Sequence, residues 1–146
     1  MIEVLNRQHK YALNLTKFKR ALRFLLERYR LGNPEVTLAF VGTKTIRRLN
    51  RDFRKIDAPT DVLSFPAGGK SADGKCYLGD ILISVPRAFE QCRGEPHGLE
   101  TELMDLVVHG FLHLIGFDHG KGIEAEEVEV RRLLAEKLGE RKSNNA

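Results

Sequence analysis

Three histidines stand within one short segment of the chain, as His109, His113 and His119. The spacing of four residues puts His109 and His113 on one face of a helix, about one turn apart. Gly116 is suited to end that helix in a left-handed turn, and the reversal can bring His119 back towards the first pair. Three imidazoles around an ion with an open fourth position are typical of a catalytic zinc site. We therefore predict one divalent metal bound by these residues and used for hydrolysis.

The spacing matches the long zinc-protease motif H-E-x-x-H-x-x-G-x-x-H, with one departure. Those proteases carry a glutamate directly after the first histidine as the general base, whereas this chain has Gly110. The last methionine is Met104, so the downstream Met-turn is missing as well. Both differences argue against peptide hydrolysis. A glycine inside a helix costs about 1 kcal/mol relative to alanine, and a neighbouring segment, a substrate or drift would each explain it.

Asp118 stands immediately before the third histidine. A carboxylate there can orient a ligand imidazole, act as a base, or stabilise the turn without any metal. The sequence leaves these three roles open. Cys76 and Cys92 form no C-x-x-C pair, so we expect free thiols that bind no metal.

The elements that position these residues are predicted from hydrophobic periodicity. Strands are predicted at 2–5, 35–41, 61–66 and 78–84, and helices at 16–30, 43–55, 99–115 and 123–138, with a short helix from Pro86. The segment 68–75 is predicted to be a hairpin connection. This order favours a single domain over residues 1–146, of the α+β (mixed α/β) class. It should contain about four strands in a mixed sheet and about five helices, one of them zincin-like with the His-x-x-x-His pair.

Two helices also carry predictions about their starts and their buried faces. Thr16 and Thr43 are the predicted N-caps of the first two helices. In the second helix, Ile46, Leu49 and Phe53 recur at helical spacing and are predicted to face the core.

Positive charge is concentrated in the first part of the chain, where residues 1–58 hold 14 Lys/Arg and 5 Asp/Glu. Such asymmetry favours a polyanionic partner, although solvated helix faces produce the same pattern. No stretch approaches the roughly 20 apolar residues of a membrane helix. The first residues lack the apolar run of a signal peptide, so we expect a cytoplasmic protein with no membrane partner.

Three blocks of sequence resemble the YbeY family of bacterial endoribonucleases. They are LNRDFRKIDAPTDVLSFP (49–66), LGDILIS (78–84) and HGFLHLIGFDH (109–119). The resemblance implies a mixed sheet with packed helices and a metal held by the three histidines. It also implies cleavage of single-stranded ribosomal RNA, chiefly in maturation of the 3′ end of 16S RNA of the small subunit, and a part in ribosome quality control. Zinc is the expected ion and nickel an alternative, because imidazoles accept several divalent metals.

The family's arginine beside the cleft falls on Arg54. A guanidinium can grip a phosphate with two hydrogen bonds and stabilise charge that develops on it. The resemblance thus implies a catalytic role for Arg54, whereas the residue alone would suggest a solvated arginine on a basic helix. Whether water or the RNA 2′-hydroxyl attacks is left open, as are the general base and any protein partner.

Two other functions remain open at this stage. One is a ribosome-assembly binding protein whose metal only stabilises the fold, and the other is a metal-dependent amidase or peptidase. A closed metal site would favour the binding protein. A positive cleft at the metal would favour RNA as substrate, and a hydrophobic side-chain pocket would favour peptide.

Overall fold

The computed structural model describes residues 1–70, 76–118, 120 and 122–144. The strands in these ranges are β1 (Ile2–Asn6), β2 (Glu35–Val41), β3 (Val62–Lys70) and β4 (Cys76–Ser84). The helices are α1 (Leu15–Arg28), α2 (Thr43–Arg54), α3 (Val85–Cys92), α4 (Leu99–Leu114) and α5 (Ile123–Asn144). The predicted α+β class, with four strands and five helices, is confirmed. None of the described helices has the length and apolar character needed to cross a membrane.

The four strands form one mixed sheet in the order β1-β2-β4-β3. β1 and β2 pair in parallel, as do β2 and β4, while β3 runs antiparallel to β4. The register of β3 against β4 shifts between Pro66 and Gly69. β3 extends into the predicted connection 68–75, whose residues 71–75 lie outside the described part of the chain, and β4 begins directly after it at Cys76.

Alternation along the strands separates the two faces of the sheet. Leu38 and Ile81 point into the large core that is shared with α1, α3, α4 and α5. Their neighbours Ala39 and Leu82 point to the opposite side, into a small core that includes Ile46 of α2. We call these the α4 face and the α2 face. The helix that carries the histidine pair and the basic helix α2 therefore lie on opposite faces of the sheet.

The predicted helix caps were wrong by one or two residues. Asn14, not Thr16, caps α1, and its side-chain oxygen accepts a hydrogen bond from the backbone N–H of Lys17 at 3.3 Å. Gly42, not Thr43, is the N-cap of α2, and no side chain bonds the first turn there. In both places an earlier residue already has the backbone conformation of a cap, so each threonine falls inside the first turn.

The predicted core face of α2 is only partly confirmed. Ile46 is fully buried and Leu49 is half-buried, but Phe53 in the last turn is 67% exposed. The ring of Phe53 meets Phe65 of β3 edge-on, with centroids 5.5 Å apart. The α2 face thus covers the start of its helix and leaves the end of that helix exposed to solvent.

Candidate metal centre

The turn that ends α4 has the predicted geometry. Gly116 has a φ of +101°, which suits glycine because it lacks a Cβ. The N–H of Phe117 donates to the carbonyl of Leu112 at 2.9 Å, and that of Gly116 donates to the carbonyl of His113 at 3.1 Å. This pair of bonds is a Schellman motif. The predicted third ligand, His119, follows this turn and lies outside the described residues.

The two histidines of α4 direct the same ring atom towards each other. The Nε2 atoms of His109 and His113 are 3.0 Å apart, and the rings meet nearly edge-on with centroids 4.5 Å apart. Two nitrogens that bind one tetrahedral ion at about 2.0–2.1 Å are separated by about 3.3 Å. The pair therefore fits two adjacent ligand positions of a zinc-class ion after a small adjustment.

Within residues 1–70, 76–118, 120 and 122–144, no three His, Cys, Asp or Glu side chains are grouped so that they could hold a metal ion. The described part of the chain thus supplies a two-histidine half-site. The complete ligand set of His109, His113 and His119 stays a prediction.

Gly110 is explained by the packing of α4 on the sheet. A Cβ at this position would lie 2.7 Å from Cγ2 of Ile81 and 3.2 Å from Cγ2 of Val62. The hydroxyl of Ser64 in β3 also donates to the carbonyl of Gly110 at 2.9 Å. Of the three explanations that the sequence left open, the neighbouring segment is the one that the structure supports. A glutamate base after the first histidine would have to point into this contact, so the departure from the protease motif follows from the packing.

Glu127 of α5 contacts the other ring nitrogen of His109. Its Oε1 is hydrogen-bonded to Nδ1 of His109, and only 16% of its side chain is exposed. Arg131 lies behind the carboxylate, with its Nη2 3.8 Å from Oε2 of Glu127 and its Nη1 3.3 Å from Oδ2 of Asp105. Burial raises the pKa of Asp105, while Arg131 acts in the opposite direction. Glu127 could not be predicted from the sequence, because it stands eighteen positions after His109 and no spacing motif joins them.

The first turn of α5 is fixed by a contact between Glu126 and Tyr29 of the segment that follows α1. The hydroxyl of Tyr29 donates to the carboxylate of Glu126, and burial together with that carboxylate raises the pKa of Tyr29 to about 12. The Tyr29 ring also packs against Phe111 and Phe117, with centroids 6.1 and 6.2 Å away. These contacts fix the start of α5, the helix from which Glu127 reaches His109.

Asp118 lies beside the other histidine. Its Oδ1 is 4.0 Å from Nδ1 of His113, and 61% of its side chain is exposed. That distance is too long for a direct hydrogen bond. The three roles considered for Asp118 stay predictions.

A cavity of about 490 Å³ opens beside His109. Carboxylates dominate its lining: Asp61, Glu95, Glu102, Asp105 and Glu127, with Arg131 as the cation. His97 also lines the cavity, and its Nε2 is 2.9 Å from Oε1 of Glu102. This contact raises the pKa of His97. The cavity is neither the positive cleft expected for RNA nor the apolar pocket expected for a peptide side chain.

The remaining sequence candidates do not line the cavity beside His109. Arg54 is exposed at the end of α2 and does not line this cavity. His9 is exposed, as expected. Cys76 is exposed and Cys92 is buried, and both are free thiols.

Comparisons with known proteins agree along most of the chain. Residues 3–138 match the family model described as "Endoribonuclease YbeY". A protein of that name from Aquifex aeolicus is 41% identical over 130 residues, which are 89% of this chain and 85% of the relative. Another from Moorella thermoacetica is 46% identical over 109 residues, which are 69% of this chain and 70% of the relative. The solution structure of TM1509 from Thermotoga maritima superposes with a TM-score of 0.63 at 30% identity, covering 99% of this chain and 93% of the other.

Proposed function

Because the chain belongs to the YbeY family of endoribonucleases, we propose that it cleaves single-stranded ribosomal RNA at a metal centre formed by His109, His113 and His119. It is a hydrolase that acts in ribosomal RNA processing. The finer proposal is maturation of the 3′ end of 16S RNA and quality control of the small subunit. Both would take place in the cytoplasm, where ribosomes assemble.

The observation that carries the proposal is the convergence of two Nε2 atoms at 3.0 Å on α4. Imidazole nitrogens are the ligands that zinc and nickel favour in proteins. A bound ion of this class supplies Lewis-acid chemistry that polarises a phosphate oxygen or an attacking water. The residues of the chain hold and orient that ion, because α4 is fixed on the sheet at Gly110 and its end is fixed by the Schellman turn.

The charge around His109 restricts how RNA would approach. Phosphates would be repelled by the carboxylates that line the cavity beside this histidine. The basic residues of α2, Lys44, Arg47, Arg48, Arg51 and Arg54, are instead all exposed. We propose that RNA is held mainly by this basic helix, with Arg54 contacting a phosphate, and that the acidic cavity is not part of the RNA path.

The test is cleavage of a precursor of small-subunit ribosomal RNA by zinc-loaded protein, with the zinc content measured on the same samples. Wild type should cleave, and removal of zinc by a chelator should stop cleavage. His113→Ala should lose zinc and activity together. His9→Ala is the matched control, because His9 is exposed and is not one of the predicted ligands.

Three results would contradict the proposal in different ways. Normal cleavage by His113→Ala would remove the metal centre from the reaction. Full zinc binding by wild type with no cleavage of any RNA would favour the assembly protein with a structural metal. Hydrolysis of amide substrates in place of RNA would favour the amidase.

A further inference from the structure

We infer that Glu127 is a positioning residue of the metal centre, which fixes the ring of His109 so that Nε2 faces the ion. The inference rests on the proposed function in one respect, namely that His109 is a metal ligand. It goes further by giving a role to a residue on a different helix, far from the histidine motif in sequence.

The two nitrogens of the His109 ring have separate partners. Nε2 faces Nε2 of His113, on the side where the ion is proposed to bind. Nδ1 faces Oε1 of Glu127, on the opposite side of the ring. An ionised carboxylate only accepts hydrogen bonds, so a neutral His109 ring paired with Glu127 carries its proton on Nδ1 and its lone pair on Nε2. The contact thus selects the tautomer that can bind metal through Nε2 and makes that nitrogen a stronger donor.

Glu127 is itself held in place by the contacts around it. The guanidinium of Arg131 lies 3.8 Å from its Oε2 and 3.3 Å from Asp105 of α4. Arg131 also donates from Nε to the backbone carbonyl of Glu127 at 3.3 Å. Only 16% of the Glu127 side chain is exposed. Solvent therefore weakens its hydrogen bond with His109 less than it would weaken that of a surface carboxylate. The chain of contacts therefore runs from His109 of α4 through Glu127 and Arg131 of α5 back to Asp105 of α4.

The neighbouring glutamate Glu129 provides a matched control. It lies two residues further along α5 and carries the same charge, but it is 47% exposed and pairs with Arg132 at 2.8 Å. Substitution of either glutamate by glutamine removes one negative charge from the same helix. Only the change at residue 127 also weakens the contact with His109.

The experiment measures the zinc affinity of the full chain by competition with a chromophoric chelator, and the thermal unfolding of the metal-free protein. Loss of a carboxylate that supports a ligand histidine lowers metal affinity by about 10–100-fold. We expect a loss in this range for Glu127→Ala. Glu127→Gln should lose less, because its amide oxygen still accepts a hydrogen bond but carries no charge. Glu129→Gln should bind zinc like wild type.

Wild-type zinc affinity in both variants of Glu127 would overturn the inference. So would a lower unfolding temperature of the metal-free variants with unchanged zinc affinity, because that pattern describes a purely structural ion pair. If Glu127→Ala does not fold, the affinity of Glu127→Gln decides. Wild-type affinity in His113→Ala would show instead that the proposed metal centre is wrong, whatever the variants at residue 127 do.

A spectroscopic readout tests the orientation directly. Nitrogen-15 NMR of the imidazole groups in the zinc-loaded protein should show His109 with the metal on Nε2 and a slowly exchanging proton on Nδ1. In Glu127→Gln the Nδ1 proton should move upfield and exchange faster. Metal on Nδ1 of His109 in wild type would overturn the inference.

Discussion

The α4 face and the α2 face of the sheet differ in depth, charge and exposure. On the α4 face, Phe111 and Leu112, which lie between the two histidines in sequence, are fully buried in a core shared by four helices. On the α2 face a few small and branched residues are buried under a single helix. That helix is basic, and Phe53 and Ile56 at its end are 67% and 52% exposed.

This difference suits what each face is proposed to hold in place. A metal ion demands ligand positions within a few tenths of an ångström, so its histidines belong on an element that cannot shift. Phosphate contacts depend mainly on charge and tolerate side chains that move. The deep face is suited to the chemistry, and the shallow face is suited to holding a polyanion.

Charge reversal on the α2 face should give the largest effect. Arg54→Glu should remain folded and zinc-loaded, because Arg54 is exposed and is not one of the proposed ligands. Its cleavage of RNA should fall by about 100-fold, because a charged hydrogen bond to phosphate, worth about 1.5–3 kcal/mol, is lost and a carboxylate stands where that phosphate should bind. Single-turnover cleavage with zinc content measured on the same samples is the readout.

The other variants at this helix sharpen the assignment. Arg54→Ala should lose less than Arg54→Glu, and Arg54→Lys should recover part of the activity, because an ammonium group lacks the planar fork of guanidinium. Arg20→Glu is the control, with the same charge change at an exposed position of α1, outside the helix proposed to hold RNA. Near-normal cleavage by Arg54→Glu would remove Arg54 from the mechanism, and loss of zinc or of folding would make it structural.

The second largest effect should be the salt dependence of RNA binding at the α2 face, compared with that of zinc binding at the α4 face. If about four phosphates of single-stranded RNA contact the α2 face, raising salt from 50 to 200 mM should weaken RNA binding by about 10–100-fold. Zinc affinity should change far less over the same range, because coordination is a short-range contact. Fluorescence anisotropy with a labelled single-stranded RNA measures the first quantity. A flat salt response would mean that the basic charge of α2 is only a solvated surface.

A smaller effect, on the free energy of unfolding, is expected from Gly110→Ala on the α4 face. Its Cβ would meet Cγ2 of Ile81 at 2.7 Å, and overpacking of this kind costs about 1–3 kcal/mol of unfolding free energy. The gain in helix propensity of about 1 kcal/mol offsets only part of that cost. Gly139→Ala in α5 is the control, because a Cβ there meets nothing within 4 Å and should stabilise the helix. Chemical denaturation of the metal-free protein gives both values, and equal stabilisation by both changes would contradict the close packing of α4.

The smallest effect concerns the acidic cavity. The contact with Glu102 raises the pKa of His97, so the pair stabilises the folded state below the ordinary pKa of histidine, about 6.5. That contribution is lost as the pH rises through the raised pKa of the folded state. An NMR titration of His97 should show the upward shift in wild type and its loss in Glu102→Gln. Identical titrations in the two proteins would show that the contact has no electrostatic effect.

The parts of the molecule that could be predicted from sequence are those determined by local spacing. The pair His109 and His113, the glycine turn after it and the class of the fold all follow from periodicity and turn chemistry. The close approach at Gly110 depends on a strand far away in sequence, so the sequence could only offer it as one of three explanations.

The misses have the same physical origin. Phe53 has the right spacing for a core residue, but burial depends on where the sheet ends beneath the helix. The acidic start of α5 is explained by the helix dipole alone, so the sequence offered no reason to look for other partners. In the structure Glu126 binds Tyr29 and Glu127 binds His109. Asn14, and not Thr16, is the N-cap of α1. The reason is local: the helix begins at Leu15, before the first residue of the predicted apolar pattern.

The shift in register between Pro66 and Gly69 has a consequence for how the protein behaves at high concentration. β3 and β1 are the outermost strands of the described sheet, and unpaired strand edges are templates for aggregation. Proline has no N–H to offer to another strand, and the irregularity beside it breaks the regular row of donors along β3. At the opposite edge, β1 is only five residues long. Both borders of the sheet are therefore poor templates for the addition of strands from other copies of the chain.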